Sequence, residues 1–584
     1  MKTIARLIKF VQKYWPMLVM AFFCQVFATA FGIVIPRMLG EGIDTVITSG
    51  ERSFIIVAAV VVVAAGLFRG LAGYGNRYFS EVVSQKVSYN IRNAIYDRLQ
   101  RLSFQFHDEN QTGQLMSRAT VDVEATRMFF SMGLLGIVQV MLMFFGVSYM
   151  ILSINWQLGL IVLAFTIPVA LLAITFGRRI RPIWLKVQAT LGFMGTTLEE
   201  SLAGVSVVKA FSQQKAESKK FTVQARTLYD EQMNAARLMA ITWPTMVSLV
   251  SIPTVLILWY GGTQVINGTM SVGEITAFIL YLGLLMMPVR QLGMMVNLYS
   301  RTVSAGQRIL EILDTESHVV ESPQAVDIGR AKGEVTFENV SFSYDRISPA
   351  LNNVSFKVKP GQLVALLGGS GSGKSTVANL LARFYDVSEG KICVDGTDIR
   401  DITLPSLRKN VVTAQQDVFL FSSTIKENIA YGAVDADLDQ IIEVSKAAQL
   451  HNFVEELPEG YDTWVGERGD TLSGGEKQRL SIARTLLVNP SVLILDDSTA
   501  SVDSETEALI RRALDELIKG RTTFIITHRL ALIKNADLIL MFQDGELVEQ
   551  GKHDDLMAKN GVYTEAYETQ LTIDQEAESS KEDQ

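Results

Sequence analysis

Six apolar stretches fall at roughly 17–38, 54–76, 129–152, 157–177, 241–262 and 274–296, each near the ~20 residues that cross the hydrocarbon core of a bilayer. The hydrophobicity is confined to the first half of the chain. This constrains the fold more than any other feature, because six such runs in 300 residues read as membrane helices rather than as buried helices of a water-soluble core. The second run, with Ile55-Ile56-Val57-Ala58-Ala59-Val60-Val61-Val62-Val63, is the clearest. Pro244 and Pro253 interrupt the fifth and Pro288 the sixth, breaks that a membrane helix tolerates where neighbours satisfy the freed backbone groups.

Basic residues orient the six crossings. Lys2, Arg6, Lys9 and Lys13 precede the first, and the loop after it carries Glu41, Asp44 and Glu51 against Arg52 alone. The second connection holds Arg77, Lys86, Arg92, Arg98, Arg101, Arg118 and Arg127, and the fourth holds a comparable series from Arg178 to Arg237. The third and fifth connections have no cation. The N-terminus of this multi-pass protein is therefore expected in the cytoplasm, with short outer loops and long inner ones; the missing targeting features suggest the plasma membrane, with an organelle membrane as the alternative. The first run is too long, and wrongly followed, for a cleaved signal peptide. The inner connections have helical apolar spacing over Ser84–Leu102 and Lys186–Phe211. They read as membrane helices continuing into the cytosol, each pair turning back through a short crosswise helix near Phe104–Asp108 and near Ser201–Lys209.

Composition closes several alternatives. With Lys+Arg 53 against Asp+Glu 61 the formal charge is −8, which disfavours a nucleic-acid partner. Two distant cysteines, Cys24 and Cys393, make no disulfide framework or cysteine zinc site, and five scattered histidines make no metal cluster. The boundaries expected are a membrane domain over 1–305, a linker over 306–333, an α/β domain over 334–572 and a disordered acidic tail over 573–584. The α/β reading rests on β-rich runs such as Val354–Val358 and Leu363–Leu367 alternating with helical ones.

Gly368-Gly369-Ser370-Gly371-Ser372-Gly373-Lys374-Ser375 follows the apolar strand Leu363–Leu367 and precedes the helical run Thr376–Leu381. Glycines in this setting let backbone N–H groups curl around phosphate oxygens, and the helix N-terminus adds its dipole. Lys374 is expected to reach the β- and γ-phosphates of a nucleotide, and Ser375 to bind Mg²⁺. A second apolar strand, Val492–Leu495, ends in Asp496-Asp497; Asp496, at a strand end beside the phosphate loop, suits the Mg²⁺ shell.

Between these motifs lies Leu472-Ser473-Gly474-Gly475-Glu476-Lys477-Gln478-Arg479, which resembles the signature of ATP-binding-cassette (ABC) ATPases, usually LSGGQ. Other elements resemble the family in order: Tyr344 ahead of the phosphate loop, Gln416-Asp417 like its glutamine loop, Ser501-Val502-Asp503 like its D-loop, and Ile525-Ile526-Thr527-His528 like its switch histidine. Thr463–Gly469, Gly113–Arg118 and Leu202–Lys209 are similar to segments of the exporter branch. The resemblance covers nearly the whole chain and implies a half-transporter: an α-helical bundle of six transmembrane helices extended into the cytosol, fused to an α/β P-loop ATPase domain with a helical subdomain. It implies ATP and Mg²⁺ as cofactors and Tyr344 stacked on adenine. It also places Gly368 to Thr376 around the phosphates, Gln416 sensing Mg²⁺ and the γ-phosphate, and His528 contacting the γ-phosphate and holding the attacking water. Ser473, Gly474, Gly475 and Glu476 would act in trans, capping the ATP of a second cassette, with Asp503 in the D-loop.

One position departs from the pattern. Family members with full activity carry Glu after the strand-end Asp, and this chain has Asp497. One methylene fewer withdraws the carboxylate by about 1.5 Å, and a misplacement of about 1 Å at a reacting centre can cost about 10²-fold. The expectation is a site that binds ATP and cleaves it slowly, in a heterodimer whose other half-transporter supplies the Glu. Glu476, in place of the signature's usual Gln, puts a carboxylate near the sandwich. The cargo expected is a small hydrophobic or amphipathic molecule, drug or lipid, exported through the membrane. A siderophore-type importer of the same architecture and a regulatory, non-transporting membrane ATPase are the alternatives. Met286, Met287, Met294, Met295, Trp243 and Tyr281 are candidates to line an adaptable apolar cavity, and Arg69 and Arg290 are ionisable residues inside apolar runs.

Overall fold

A computed structural model describes residues 2–49, 52–344, 348–414, 418–497, 504–527 and 530–582. It divides into two compact units, Met1–Gln100 with Thr112–Thr315, and Arg101–Gln111 with Glu316–Gln584. The first unit is all helix. Its long helices are Trp15–Ser49, Arg52–Arg101, Thr112–Ile154, Trp156–Ala203, Gln214–Ile266 and Val272–Asp314. The first five crossings are long and apolar enough to span a membrane, and the last carries a shorter apolar stretch, Val272–Pro288. At about 1.5 Å per residue, the 50-residue helix Arg52–Arg101 runs far beyond a hydrocarbon core of about 30 Å. The membrane helices therefore continue into the cytosol, as their apolar spacing implied.

Packing in this unit centres on the last helix. Phe278, Tyr281, Leu282 and Leu285 from it meet Ile33, Val147, Ile151, Leu158 and Val162 in one buried cluster, and the Tyr281 hydroxyl donates to Ile33 O at 2.8 Å. Closer to the cytosol, ion pairs replace apolar contacts. Asp122, 5% exposed, accepts from Arg308 Nε at 2.7 Å, and Arg127 bridges Glu124 at 2.7 Å and Glu81 at 2.5 Å. The methionine group divides: Tyr281, Met286 and Met295 are buried in packing, whereas Met287, Met294 and Trp243 are exposed. Arg69 lies against Gly32 of the first crossing; the Arg290 side chain lies outside the described residues.

Two boundaries differ from the sequence reading. The sixth long helix continues to Asp314 because Ala305, Ile309 and Ile312 keep a buried helical face, nine residues beyond the expected end at 305. The segment after it is no loose linker. Arg383 donates to Val320 O at 3.1 Å, Val326 N to Asp401 O at 2.9 Å, and Ala331 N to Asn410 Oδ1 at 2.8 Å, while Asp395 accepts from the amides of Lys332, Gly333 and Glu334. These bonds lay it along the second unit as a strap. At the other end, the backbone of Val562–Glu582 is helical where a disordered tail was expected; its Glu, Gln, Ala and Lys are good helix formers.

The second unit is α/β. One sheet has the order β2 (Leu351–Val358), β1 (Val335–Phe342), β4 (Glu389–Val394), β5 (Thr397–Asp398) and is antiparallel. The other has the order β10 (Glu546–Gly551), β9 (Leu538–Gln543), β3 (Leu363–Leu367), β8 (Thr522–Thr527), β7 (Val492–Asp497), β6 (Val411–Ala414), parallel except at β10. Side chains alternate between its two faces. Val364, Leu366, Ile494, Phe524 and Phe542 enter one core with the antiparallel sheet, and Ala365, Leu493, Leu495, Ile525 and Met541 enter the other with the helices Leu438–Ala447 and Gly474–Val488. Burial on both faces explains why these strands read as continuous apolar runs.

Candidate nucleotide site

The parallel strands point their carboxyl ends to the same side of the sheet. The carboxyl ends of β3, β8, β7 and β6 lead respectively into the phosphate loop, His528, Asp496-Asp497 and Gln416. A cleft beyond strand carboxyl ends is where open α/β sheets bind ligands. Gln416, Asp503, His528 and the side chain of Asp497 lie outside the described residues. The Asp497 backbone is described: its Cα is in register with Thr527, and Asp496 with Ile526.

The loop itself is built by glycine geometry. Gly368, Gly371 and Gly373 have φ of 140°, 79° and 105°, values that strain any residue with a Cβ. A Cβ on Gly373 would stand 2.8 Å from Ala350 O and 2.7 Å from Leu351 Cδ2. The helix Lys374–Leu381 then starts directly from the loop, with Thr376, Val377, Leu380 and Leu381 buried and Ser375 exposed. The Lys374 ammonium donates to Gly368 O at 2.8 Å and Gly369 O at 2.7 Å, with Ser372 Oγ at 3.3 Å. Burial pushes its pKa down, and the charge of Asp496 opposes that shift. A lysine and a carboxylate thus share one electrostatic neighbourhood at the helix N-terminus, as a Mg²⁺-phosphate ligand requires. Ser370 is exposed on the same loop.

Tyr344 lies beside this helix, 42% exposed, with its hydroxyl 3.4 Å from both Thr376 Oγ1 and Asn379 Nδ2. Its ring meets Phe342 edge-on at 4.8 Å and Tyr385 edge-on at 5.1 Å.

The signature segment is a helix start. Ser473 caps Gly474–Val488, and the Glu476 carboxylate accepts from Ser473 N at 2.8 Å while the Ser473 hydroxyl accepts from Glu476 N at 3.4 Å, forming a capping box. Glu at this position is thereby accounted for locally, since Glu and Gln both serve the third position of the box. Ser473 and Gly474 are exposed and Gly475 is buried. Among the described residues no hydrogen bond or ion pair joins Ser473–Glu476 to the phosphate loop. Sequence reasoning missed Tyr385 and the buried Arg383 behind it; an Arg-Phe-Tyr run after an apolar helix carries no signal of what it touches.

Comparison with known proteins accords with this geometry. Residues 18–289 match the ABC transporter transmembrane region family, and residues 351–500 match the ABC transporter family. The chain is 36% identical to the uncharacterized ABC transporter ATP-binding protein YknU of Bacillus subtilis, over 95% of this chain and 96% of that one. It is 34% identical to an ATP-dependent lipid A-core flippase of Syntrophus aciditrophicus, over 98% and 95%. A solved bacterial Atm1-family ABC exporter with ATP bound matches with a TM-score of 0.79 and 30% identity, over 95% of this chain and 98% of that one. Half-size exporters of this kind act as dimers. The chain is a multi-pass membrane protein whose cytoplasmic cassette binds ATP and couples its hydrolysis to export. It belongs to the ABC transporter family as a half-size exporter, with one transmembrane region fused to one ATPase cassette.

Proposed function

We propose that this chain is the slow-site half of a heterodimeric exporter of hydrophobic or amphipathic molecules. Tyr344 stacks on adenine, Gly368–Ser372 and Lys374 hold the phosphates, and Ser473, Gly474 and Gly475 cap the ATP of the partner's cassette. Ser375, Asp496 and Gln416 hold Mg²⁺, which neutralises phosphate charge; the exposed Ser375 hydroxyl and the Asp496 charge felt at Lys374 fit that role. Gln416 and His528 contact the γ-phosphate, and Asp503 belongs to the D-loop between the cassettes.

The observation that carries the slow-site reading is Asp497 at the end of β7. Its backbone is held in the ladder opposite Thr527, so a shift of the main chain toward the nucleotide cannot make up for the missing methylene. The carboxylate falls short of the attacking water, and cleavage slows by about 10²-fold. A different half-transporter, with Glu at the matching position, supplies the fast site. Dimeric assembly is further supported by the second inner turn, Val205–Ala210, and its flanks, where Val207, Leu202 and Phe211 are exposed in the single chain. A lipid cargo is supported by the flippase relative, and the exposed Met287 and Met294 suit an adaptable apolar route. The test is steady-state ATPase of the chain purified alone in lipid. Turnover near background is expected, rising when the partner half is added; brisk turnover of the chain alone would refute the reading.

A further inference from the structure

Arg383-Phe384-Tyr385, directly after the phosphate-loop helix, touches three parts of the cassette unit at once. Arg383 is 1% exposed. Its guanidinium donates to Ile399 O at 3.1 Å, to Val320 O of the strap at 3.1 Å and to Asp386 at 2.9 Å, which fixes the backbone of the segment. Phe384 stacks on Phe104 of the first inner turn, Phe104–Glu109, with ring centroids 4.3 Å apart. The Tyr385 hydroxyl donates to the carboxylate of Asp108 on the same turn.

Tyr385 is 7% exposed, and its ring also forms the edge-on contact to Tyr344 at 5.1 Å and a tilted contact to Phe342 at 5.6 Å. Among the described residues Tyr344 is otherwise held by its edge-on contact to Phe342 and by hydroxyl contacts at 3.4 Å, the weak end of hydrogen-bond distance. Its orientation is therefore set by the aromatic edges around it. We propose that Tyr385 is a positioning residue for the nucleotide: held by Asp108, its ring sets Tyr344 against adenine, so the first inner turn governs the grip of the cassette on the base.

The consequence follows from chain connectivity. The turn joins the helices Arg52–Arg101 and Thr112–Ile154, so a displacement of these crossings pulls on Asp108. Burial and the Asp108 carboxylate both push the Tyr385 phenol pKa up, which keeps it a donor throughout the physiological range. Asp108 lies on the exposed side of its short helix, and removing its side chain leaves no cavity.

The inference rests on Tyr344 being the adenine platform, and the experiment separates the two. The full chain in its dimer is labelled with trace 8-azido-ATP, and labelling of this polypeptide is competed with MgATP or with magnesium tripolyphosphate, which has the phosphates but no base. Tyr385→Phe and Asp108→Ala are each expected to weaken ATP about tenfold while tripolyphosphate changes less than about twofold. The double variant should be no weaker than the worse single one. Equal losses for both competitors, or no loss for either, would overturn the proposal. Tyr344→Ala run alongside decides the platform: if it does not weaken ATP selectively the platform reading fails, and if it does while Asp108→Ala does not, the relay through Tyr385 fails.

Discussion

The three glycines Gly369, Gly371 and Gly373 sit in one loop and meet very different surroundings, so alanine at each gives a graded test of the loop's role. At Gly369 an added Cβ has no atom within 4 Å and φ is not positive; the cost should stay below about 0.5 kcal/mol, as for ordinary surface changes. At Gly371 the space is also open but φ is 79°, so the left-handed conformation costs about 1–2 kcal/mol. At Gly373 the φ of 105° adds to a Cβ placed 2.8 Å from Ala350 O. That carbonyl belongs to a backbone fixed by the bond from Ala350 N to Phe342 O at 2.8 Å, so the loop must move instead. The combined cost is about 3 kcal/mol or more. If the loop cradles phosphate, these costs appear in ATP affinity: little change for Gly369→Ala, about five- to thirtyfold for Gly371→Ala and about 10²-fold or more for Gly373→Ala. Equilibrium MgATP binding to the purified full chain measures all three. A flat series, or Gly369→Ala as the weakest binder, would refute the loop geometry as the source of affinity.

Other outcomes follow from single contacts. Arg383→Met leaves Asp386 and the Val320 and Ile399 carbonyls without their donor, and should destabilise the chain by about 3–5 kcal/mol, read as lost thermal stability in detergent. Glu476→Gln keeps the capping box and should leave thermal stability unchanged. Glu476→Ala opens the box and should cost about 1 kcal/mol; equal behaviour of the two variants would contradict a capping role for Glu476.

The parts legible in the sequence are those that repeat a local pattern. Val364 to Leu367 alternate between two buried faces and so read as a core strand, and the glycines that follow are demanded by positive φ at Gly368, Gly371 and Gly373. The long membrane helices were legible because length and apolarity are local properties. What was hidden depends on contacts between distant residues. Asp108 and Tyr385 lie 277 positions apart, and Asp122 and Arg308 lie 186 apart; in the sequence each is one charged or aromatic residue among many. The bonds of the strap were hidden for the same reason. Its polar composition resembles a linker, and residues contributed from later in the chain, among them Asn410, Asp395, Asp401 and Arg383, give its backbone groups partners. Glu476 read as a carboxylate placed near the sandwich, and what the sequence did not show is that this carboxylate is occupied with the helix start.

The most direct measurement is the chemical identity of the nucleotide held on this polypeptide during turnover. The assembled dimer is supplied with labelled MgATP, quenched within a few turnovers and resolved by chain. Intact ATP should remain on this polypeptide, and Asp497→Glu should convert it to ADP about 10²-fold faster. Finding ADP on the unsubstituted chain as quickly as on the Asp497→Glu variant would contradict the account.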